Sequence, residues 1–468
     1  MALALLAALI ATSAHAQALR FSNYREVAPP ESATLHQGPF YSSWVFSQQV
    51  GYRYTRSSGA GTDFIQRNER GSIRKDGSEL PLISTFSLRN YLMITPHMDV
   101  NADFAVGYQY YPLGTQDNGW FFSAAEQGIF GTFESQFQLT PYLKGRIYDN
   151  PSYRKDYVDY RGITDNYGGQ KYERFENEAG TELDWLLADD KNAYAGGKRV
   201  DVVPRGRNFK DTRSVSYEAF GGYEQQLHPT LTAGGRAAYD WSHYPTGDRG
   251  DYFSQNYSAY STWQLTERSV LSDSIGYSIA SLSSAGAGEN NGDSSTVVGS
   301  VALKTQLGKD LSHSLSYARS QKSDFQSGID ITDDYAYSIR WAGGFWSADA
   351  GTEYSVTAPQ LTTLAGYSDW ITYLNLTYAL TKWMTLFGNT SYDVRANGTV
   401  PVGSVGSTDP SVSSDYETWV TRIGTSFGLT KNVTFSTYGE HAARTSDSED
   451  FAYTRDTFEA MLVYTHEF

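Results

Sequence analysis

Histidine, carboxylate and hydroxyl side chains are the groups through which this sequence could do acid–base or nucleophilic chemistry, and they are scattered. His15 lies in the first segment, and His97, His228 and His313 fall in or beside short turn-like segments. His441 follows Glu440 and lies near Ser436. On a strand, however, adjacent side chains point to opposite faces, so this local trio cannot converge as nucleophile, base and orienting acid. The chain has no cysteine, no His-Glu-x-x-His pair and no glycine-rich phosphate loop, so thiolate-metal, zinc-hydrolase and nucleotide chemistry lack their usual residues. Asp189 and Asp190 read as solvated loop charge. The expectation is no enzyme: no catalytic residues, no metal site and no cofactor.

Charge recurs instead at every second position of alternating segments. On the polar face fall Arg53, Arg89, Asp103, Glu178, Glu182, Asp184, Glu218, Glu224 and Arg236. Further along the chain come Asp240, Lys304, Arg340, Asp349, Glu353, Asp393, Arg422 and Glu459. Eleven of these seventeen are acidic. Lining a pore, such an excess would favour cations, as rings of carboxylates do. The same residues could instead form a lattice of ion pairs that stiffens a wall. The spacing alone leaves both readings open.

The elements that would carry these residues are strands. Tyr, Phe and Trp make up 15% of the 468 residues, with 43 Gly, a profile of sheets carrying aromatic residues and not of packed helices. Beyond the first residues no apolar run approaches the roughly 18–20 that a membrane helix needs. A barrel has no such requirement, because its lipid-facing residues occupy alternate positions. Val100, Ala102, Phe104, Val106, Tyr108 and Tyr110 alternate with more polar residues, and Trp370, Leu374, Leu376, Tyr378 and Leu380 oppose Asn375 and Thr377. The net charge of −15 argues against nucleic acid as a partner.

Two kinds of connection alternate along the chain. Short ones share an apolar residue followed by a few polar or Pro residues: ITPHMD (94–99), LTPYLK (139–144), LHPTLT (227–232), LTERSV (265–270), LGKDLS (307–312), LTKWMT (380–385) and LTKNVT (429–434), with looser members at 186–194 and 342–349. Between them lie long polar stretches such as 148–170, 283–295, 395–415 and 444–456. Short turns at one end and long loops at the other is the asymmetry of an outer-membrane barrel. Nine short turns predict a closed antiparallel transmembrane β-barrel of about 20 strands, with 18 as the alternative. Trp44, Tyr108, Trp241, Trp263, Trp370 and Trp419 sit near strand ends, where aromatic girdles form.

The apolar stretch 2–11 followed by Ala14-His15-Ala16 predicts a signal peptide over 1–16. Residues 17–42 read as a periplasmic lead-in reaching toward the barrel mouth, and 43–468 as the barrel. In the last strand Tyr464 and Phe468 fit an assembly signal, since this strand must pair with the first. The signal segment, the Tyr-rich strands such as VGYRYTR (50–56), the LT-x turns and the closing TRDTFEAMLVYTHEF (454–468) together resemble the β-barrel porin 2 group of bacterial outer-membrane proteins. That resemblance implies residence in the outer membrane of a Gram-negative bacterium, and relatives connected with exopolysaccharide export; no functional residue carries over from it. The expected partners are outer-membrane lipids and the barrel-assembly machinery. The expected function is a porin-like channel passing small hydrophilic solutes or a polysaccharide by size exclusion and lumenal charge. The competing expectation is a plugged structural or adhesive barrel acting through its outer loops.

Overall fold

The computed structural model describes residues 33–59, 77–113, 119–121, 131–158, 170–205, 212–245, 250–283, 292–324, 328–360, 366–397, 415–447 and 452–467. Twenty long antiparallel strands run through them in chain order, from Phe40–Ser58 to Tyr453–Glu467, with the three-residue strands Leu35–Gln37, Gly77–Glu79 and Gly119–Phe121 appended. Each long strand pairs with the next, and residues 45–58 pair with 454–467 in fourteen registered pairs. The sheet is therefore a closed cylinder of the expected strand number. Closure leaves no edge whose backbone groups would meet hydrocarbon unpaired. Among the described residues no helix is long and apolar enough to cross a membrane.

Alternation decides which face is which. Phe104 and Tyr110, Leu374 and Leu376, Ile275 and Ile423 all lie on the outer face and are exposed there. A soluble fold would bury them; a barrel presents them to lipid. Trp44, Trp263, Trp370 and Trp419 are exposed on the same face, and the indole N–H groups of Trp44, Trp370 and Trp419 donate to neighbouring hydroxyls. Trp370 Nε1 donates to Thr352 Oγ1 and Trp419 Nε1 to Thr421 Oγ1, each at 2.7 Å. Tyr217, Trp241 and Phe253 stack side by side across three strands, with centroids 5.4 and 6.3 Å apart. These rings offer an apolar body to lipid and a satisfied polar edge to the interface.

All nine short connections predicted from sequence are tight turns between strands, and the structure explains their Leu-Thr signature. Thr95, Thr140, Thr266, Thr381 and Thr430 each accept, at Oγ1, the backbone N–H two residues on, at 3.2 Å. This local bond holds the reversal, as hydroxyl turns do. The apolar residue before Thr is bulged out of register at Ile94, Leu139, Leu265 and Leu380. The bulge aims it outward. With Leu187, Leu227, Leu307, Leu429 and Phe345 these residues form a ring, 41–69% exposed, one side chain per turn.

The first long strand begins at Phe40, three residues before Ser43, and one expectation about the loops needs correction. Leu35–Gln37 folds back at Gly38 and pairs with Phe40–Ser42, supplying backbone partners where the closing strand has already ended. The stretch 148–170 is not loop throughout, because strand Leu143–Val158 continues to 158. At 16 residues it is longer than the roughly 9–11 a bilayer crossing takes, so its hairpin continues beyond the membrane. The expected signal segment 1–16, Phe468 and most of the long loops lie outside the described residues.

Candidate functional site

The inner wall collects the charges that parity singled out. Arg53, Arg89, Asp103, Glu182, Glu218, Arg236, Asp240, Lys304, Arg340, Glu353, Asp393, Arg422 and Glu459 all occupy positions opposite to the exposed apolar face, and so do Glu178, Asp184, Glu224 and Asp349. Tyr464 lies on the outer face of the closing strand. Glu440 and His441 point to opposite sides: Glu440 meets Arg422 inside, while His441 Nδ1 lies 2.6 Å from Asp456 Oδ1 at the outer surface.

Much of the inner charge is tied into two ladders. In the first, Arg146 meets Glu182 at 3.1 Å, Lys198 bridges Glu178 and Glu218 at 3.7 and 3.2 Å, and Arg236 reaches Glu218 at 2.5 Å. Asn192 Nδ2 donates to both Asp184 and Glu224 at 3.2 Å. Asp240 accepts from Ser254 Oγ at 2.8 Å and from Asn256 Nδ2 at 3.2 Å. In the second, Arg53 Nε donates to Glu459 at 2.5 Å, and Arg53 lies 3.7 Å from Glu79. Tyr438 Oη donates to Glu459 at 3.0 Å. Arg422 and Arg455 share Glu440 at 2.6 and 3.3 Å, and Arg395 meets Asp369 at 2.7 Å.

Sequence parity missed Lys198, Arg146, Glu79, Glu440 and Arg395. On strand Lys191–Arg205 the outward residues are Ala193, Ala195 and Gly197, followed by Arg199 and Asp201, so the contrast that reveals a face is nearly absent. Arg199 and Asp201 pair with each other at 2.7 Å near the strand's outer end.

The Arg53 site carries a stability prediction. The side chains of Glu79 and Glu459 are each only 6% exposed, while Arg53 keeps partial contact with lumenal water. Arg53→Met removes the cation that Glu459 and Glu79 face. Breaking a buried pair costs about 3–5 kcal/mol, and partial hydration of Arg53 lowers the expected loss to about 1–3 kcal/mol. Denaturant titration in lipid vesicles should show that loss for Arg53→Met, with much of it recovered in the double variant Arg53→Met, Glu459→Met. A double variant no better than the single would show that pairing is not the cause.

A second feature of the interior is a hairpin that leaves the wall. Strand Gly292–Gln306 makes fourteen registered pairs with Ser269–Leu282 but only eight with Leu311–Asp324, ending at Gly299 opposite Arg319. Above that point the two strands separate. The upper hairpin, built from 320–324 and 328–332, lies against the inner face of the neighbouring strands. Ile329 is fully buried with Tyr252 and Ala280. Gln321 Nε2 donates to Ser294 Oγ at 2.9 Å, and the Tyr244 and Ser323 hydroxyls are 2.7 Å apart. The outer mouth is therefore narrowed on this side.

A closed antiparallel cylinder with an apolar, aromatic-edged outer face and a charged, hydroxylated inner face defines an outer-membrane β-barrel, and that is the class and location of this chain. No protein-family model matches it, and no curated protein matches its sequence, so the resemblance to the β-barrel porin 2 group holds at the level of barrel class only. Among solved structures it is similar to the FrpB iron transporter of Neisseria meningitidis (9% identity, 91% of this chain and 81% of that chain, TM-score 0.49). It is also similar to the siderophore receptor PirA of Pseudomonas aeruginosa (7% identity, 90% and 80%, TM-score 0.48) and to OpdL of the same organism (11% identity, 91% and 99%, TM-score 0.40).

Proposed function

We propose that the protein is a water-filled channel for small hydrophilic solutes, with size limited by the inward hairpin and selectivity set by the inner wall. The observation that carries this reading is the solvent exposure of polar groups on the inner face at mid-strand: the Ser274 and Ser300 hydroxyls lie 2.8 Å apart on adjoining strands and are exposed. Twenty strands at their usual spacing and tilt give a backbone diameter of about 40 Å, and barrels of about 16–18 strands already leave an aqueous channel. Side chains and one hairpin reduce that bore. The inner charges that are paired with each other act chiefly as wall, while the remaining carboxylates disfavour anions.

The purified protein in planar bilayers should give stepwise ion conductance. A silent bilayer at full insertion would overturn the channel and favour a plugged barrel acting through its loops. Ile329→Ala tests the narrowing. Loss of a fully buried Ile side chain costs about 2–5 kcal/mol, enough to loosen the hairpin from Tyr252 and Ala280 while residues 330–332 stay paired with 357–359. The unitary conductance should rise and become noisier; an unchanged conductance would show that the hairpin does not set the bore.

A further inference from the structure

The inner wall is not uniform in its chemistry. From strand Leu143–Val158 to strand Leu231–His243 it carries the first ion-pair ladder, and from Tyr367–Thr381 round to Phe40–Ser58 the second. Between them lie six strands: Gly328–Gly343 and Trp346–Pro359, which carry Arg340, Asp349 and Glu353 inward, and the four strands Tyr252–Thr266, Ser269–Leu282, Gly292–Gln306 and Leu311–Asp324. Below the inward hairpin, Lys304 is the single charged residue on the inner faces of these four strands, all of whose inner positions there are among the described residues. In place of charge come short hydroxyl side chains: Ser272, Ser274, Ser300, Ser314 and Ser316, continued by Ser338 on the next strand. Two cross-strand hydroxyl pairs, Ser274 with Ser300 and Ser314 with Ser338, are each 2.8 Å apart.

We propose that this hydroxyl wall is the path of the solute, and that the solute is an uncharged, hydroxyl-rich molecule of the mono- or short oligosaccharide class. The inference rests on the channel reading above. Four physical points support it. On Ser269–Leu282, Gly292–Gln306 and Leu311–Asp324 the short serines leave more of the bore open than Arg, Glu and Tyr leave elsewhere; Tyr260 on Tyr252–Thr266 turns instead toward Tyr194 and Glu224. A serine hydroxyl is one donor and two acceptors, so a serine pair sharing one hydrogen bond still offers a donor and several acceptors to the lumen. A sugar hydroxyl leaving water therefore meets a like partner at each step, and the net change per bond is small, which suits passage better than tight binding. The ladders offer less to a charged solute, since Glu218, Glu440 and Glu459 already hold cations of their own. Finally, the inward hairpin rests on the outer end of this same wall through Ile329 and Gln321, which limits the length of a rigid solute that can lie along it.

The test uses the full-length protein in liposomes, with uptake of labelled glucose, glucosamine and glucuronate, three rings of one size and different charge, each normalised to the potassium chloride conductance of the same preparation. The wild type should pass glucose faster than either charged analogue. The quadruple variant Ser274→Ala, Ser300→Ala, Ser314→Ala, Ser338→Ala should lower glucose passage about fivefold, the equivalent of one net hydrogen bond of about 1 kcal/mol. The corresponding four Ser→Thr changes keep every hydroxyl and should restore it, which separates hydroxyl chemistry from misfolding. Glucosamine passing fastest would assign the path to the carboxylates of neighbouring strands and overturn the proposal. So would glucuronate passing as fast as glucose, or an alanine variant equal to wild type. Absence of potassium chloride conductance in the wild type would remove the channel reading itself, an outcome distinct from conductance without sugar preference.

Discussion

A chain ending at Asp447, and so lacking the closing strand, is expected not to form a barrel at all. Among the described residues, the fourteen pairs between 45–58 and 454–467 are the backbone pairing that turns a twenty-strand ribbon into a cylinder. Without them one row of backbone N–H and C=O groups on strand Phe40–Ser58 faces hydrocarbon, and each unsatisfied group costs several kcal/mol. Even a few such groups exceed the 5–15 kcal/mol by which folded proteins are stable. Loss of heat-modifiable gel migration and of protease resistance in vesicles would meet the expectation. A truncated chain that kept both would show that closure is not what stabilises the sheet. The same variant bears on Tyr464 and Phe468: if these residues also carry the assembly signal, the truncated chain should fail to engage the assembly machinery as well as to fold.

The second large effect separates the two faces with adjacent residues. Ile275 is 65% exposed at the middle of strand Ser269–Leu282, and its neighbour Ser274 faces the lumen. An arginine on the lipid face near the membrane midplane costs about 2–4 kcal/mol, so Ile275→Arg should lower the free energy of unfolding in vesicles by that amount. Ser274→Arg places the same charge in water and should change stability by about 0.5 kcal/mol or less. Equal losses from the two variants would mean that inner and outer faces have been exchanged, and the account of the site would fall with that assignment.

How much of this was legible beforehand follows from range along the chain. Alternation on segments such as Val100–Tyr110 and the repeated Leu-Thr turns are local signals, and they were enough to place nine turns and count the strands. The reason for the Thr, a bond to the N–H two residues on, is equally local, yet it needed backbone geometry to become visible. Facing was readable wherever large apolar residues alternated with charge, as around Arg422 and Ile423. It was lost on Lys191–Arg205, where alanine and glycine face lipid and two charges point outward near the strand's end. The ladders themselves were out of reach. Arg53 meets Glu459 across 406 positions of sequence, and no spacing rule spans that distance. The inward hairpin was hidden for the same reason: nothing in residues 320–331 marks them as different from an outward loop, because the pocket that receives Ile329 is built by Tyr252 and Ala280 on other strands.

The shortened ladder between Gly292–Gln306 and Leu311–Asp324 has a mechanical consequence. A slit grows most readily where a seam has already parted, and here eight rungs stand beside a neighbouring seam of fourteen, with the two strands apart above Gly299. Lateral crowding or membrane stretch would load every seam alike, and this one would unzip from its separated outer end downward. The docked hairpin ties the two lips of that slit together from within through Gln321 and Ser294, so the segment that narrows the mouth also acts as a stitch against splitting of the wall.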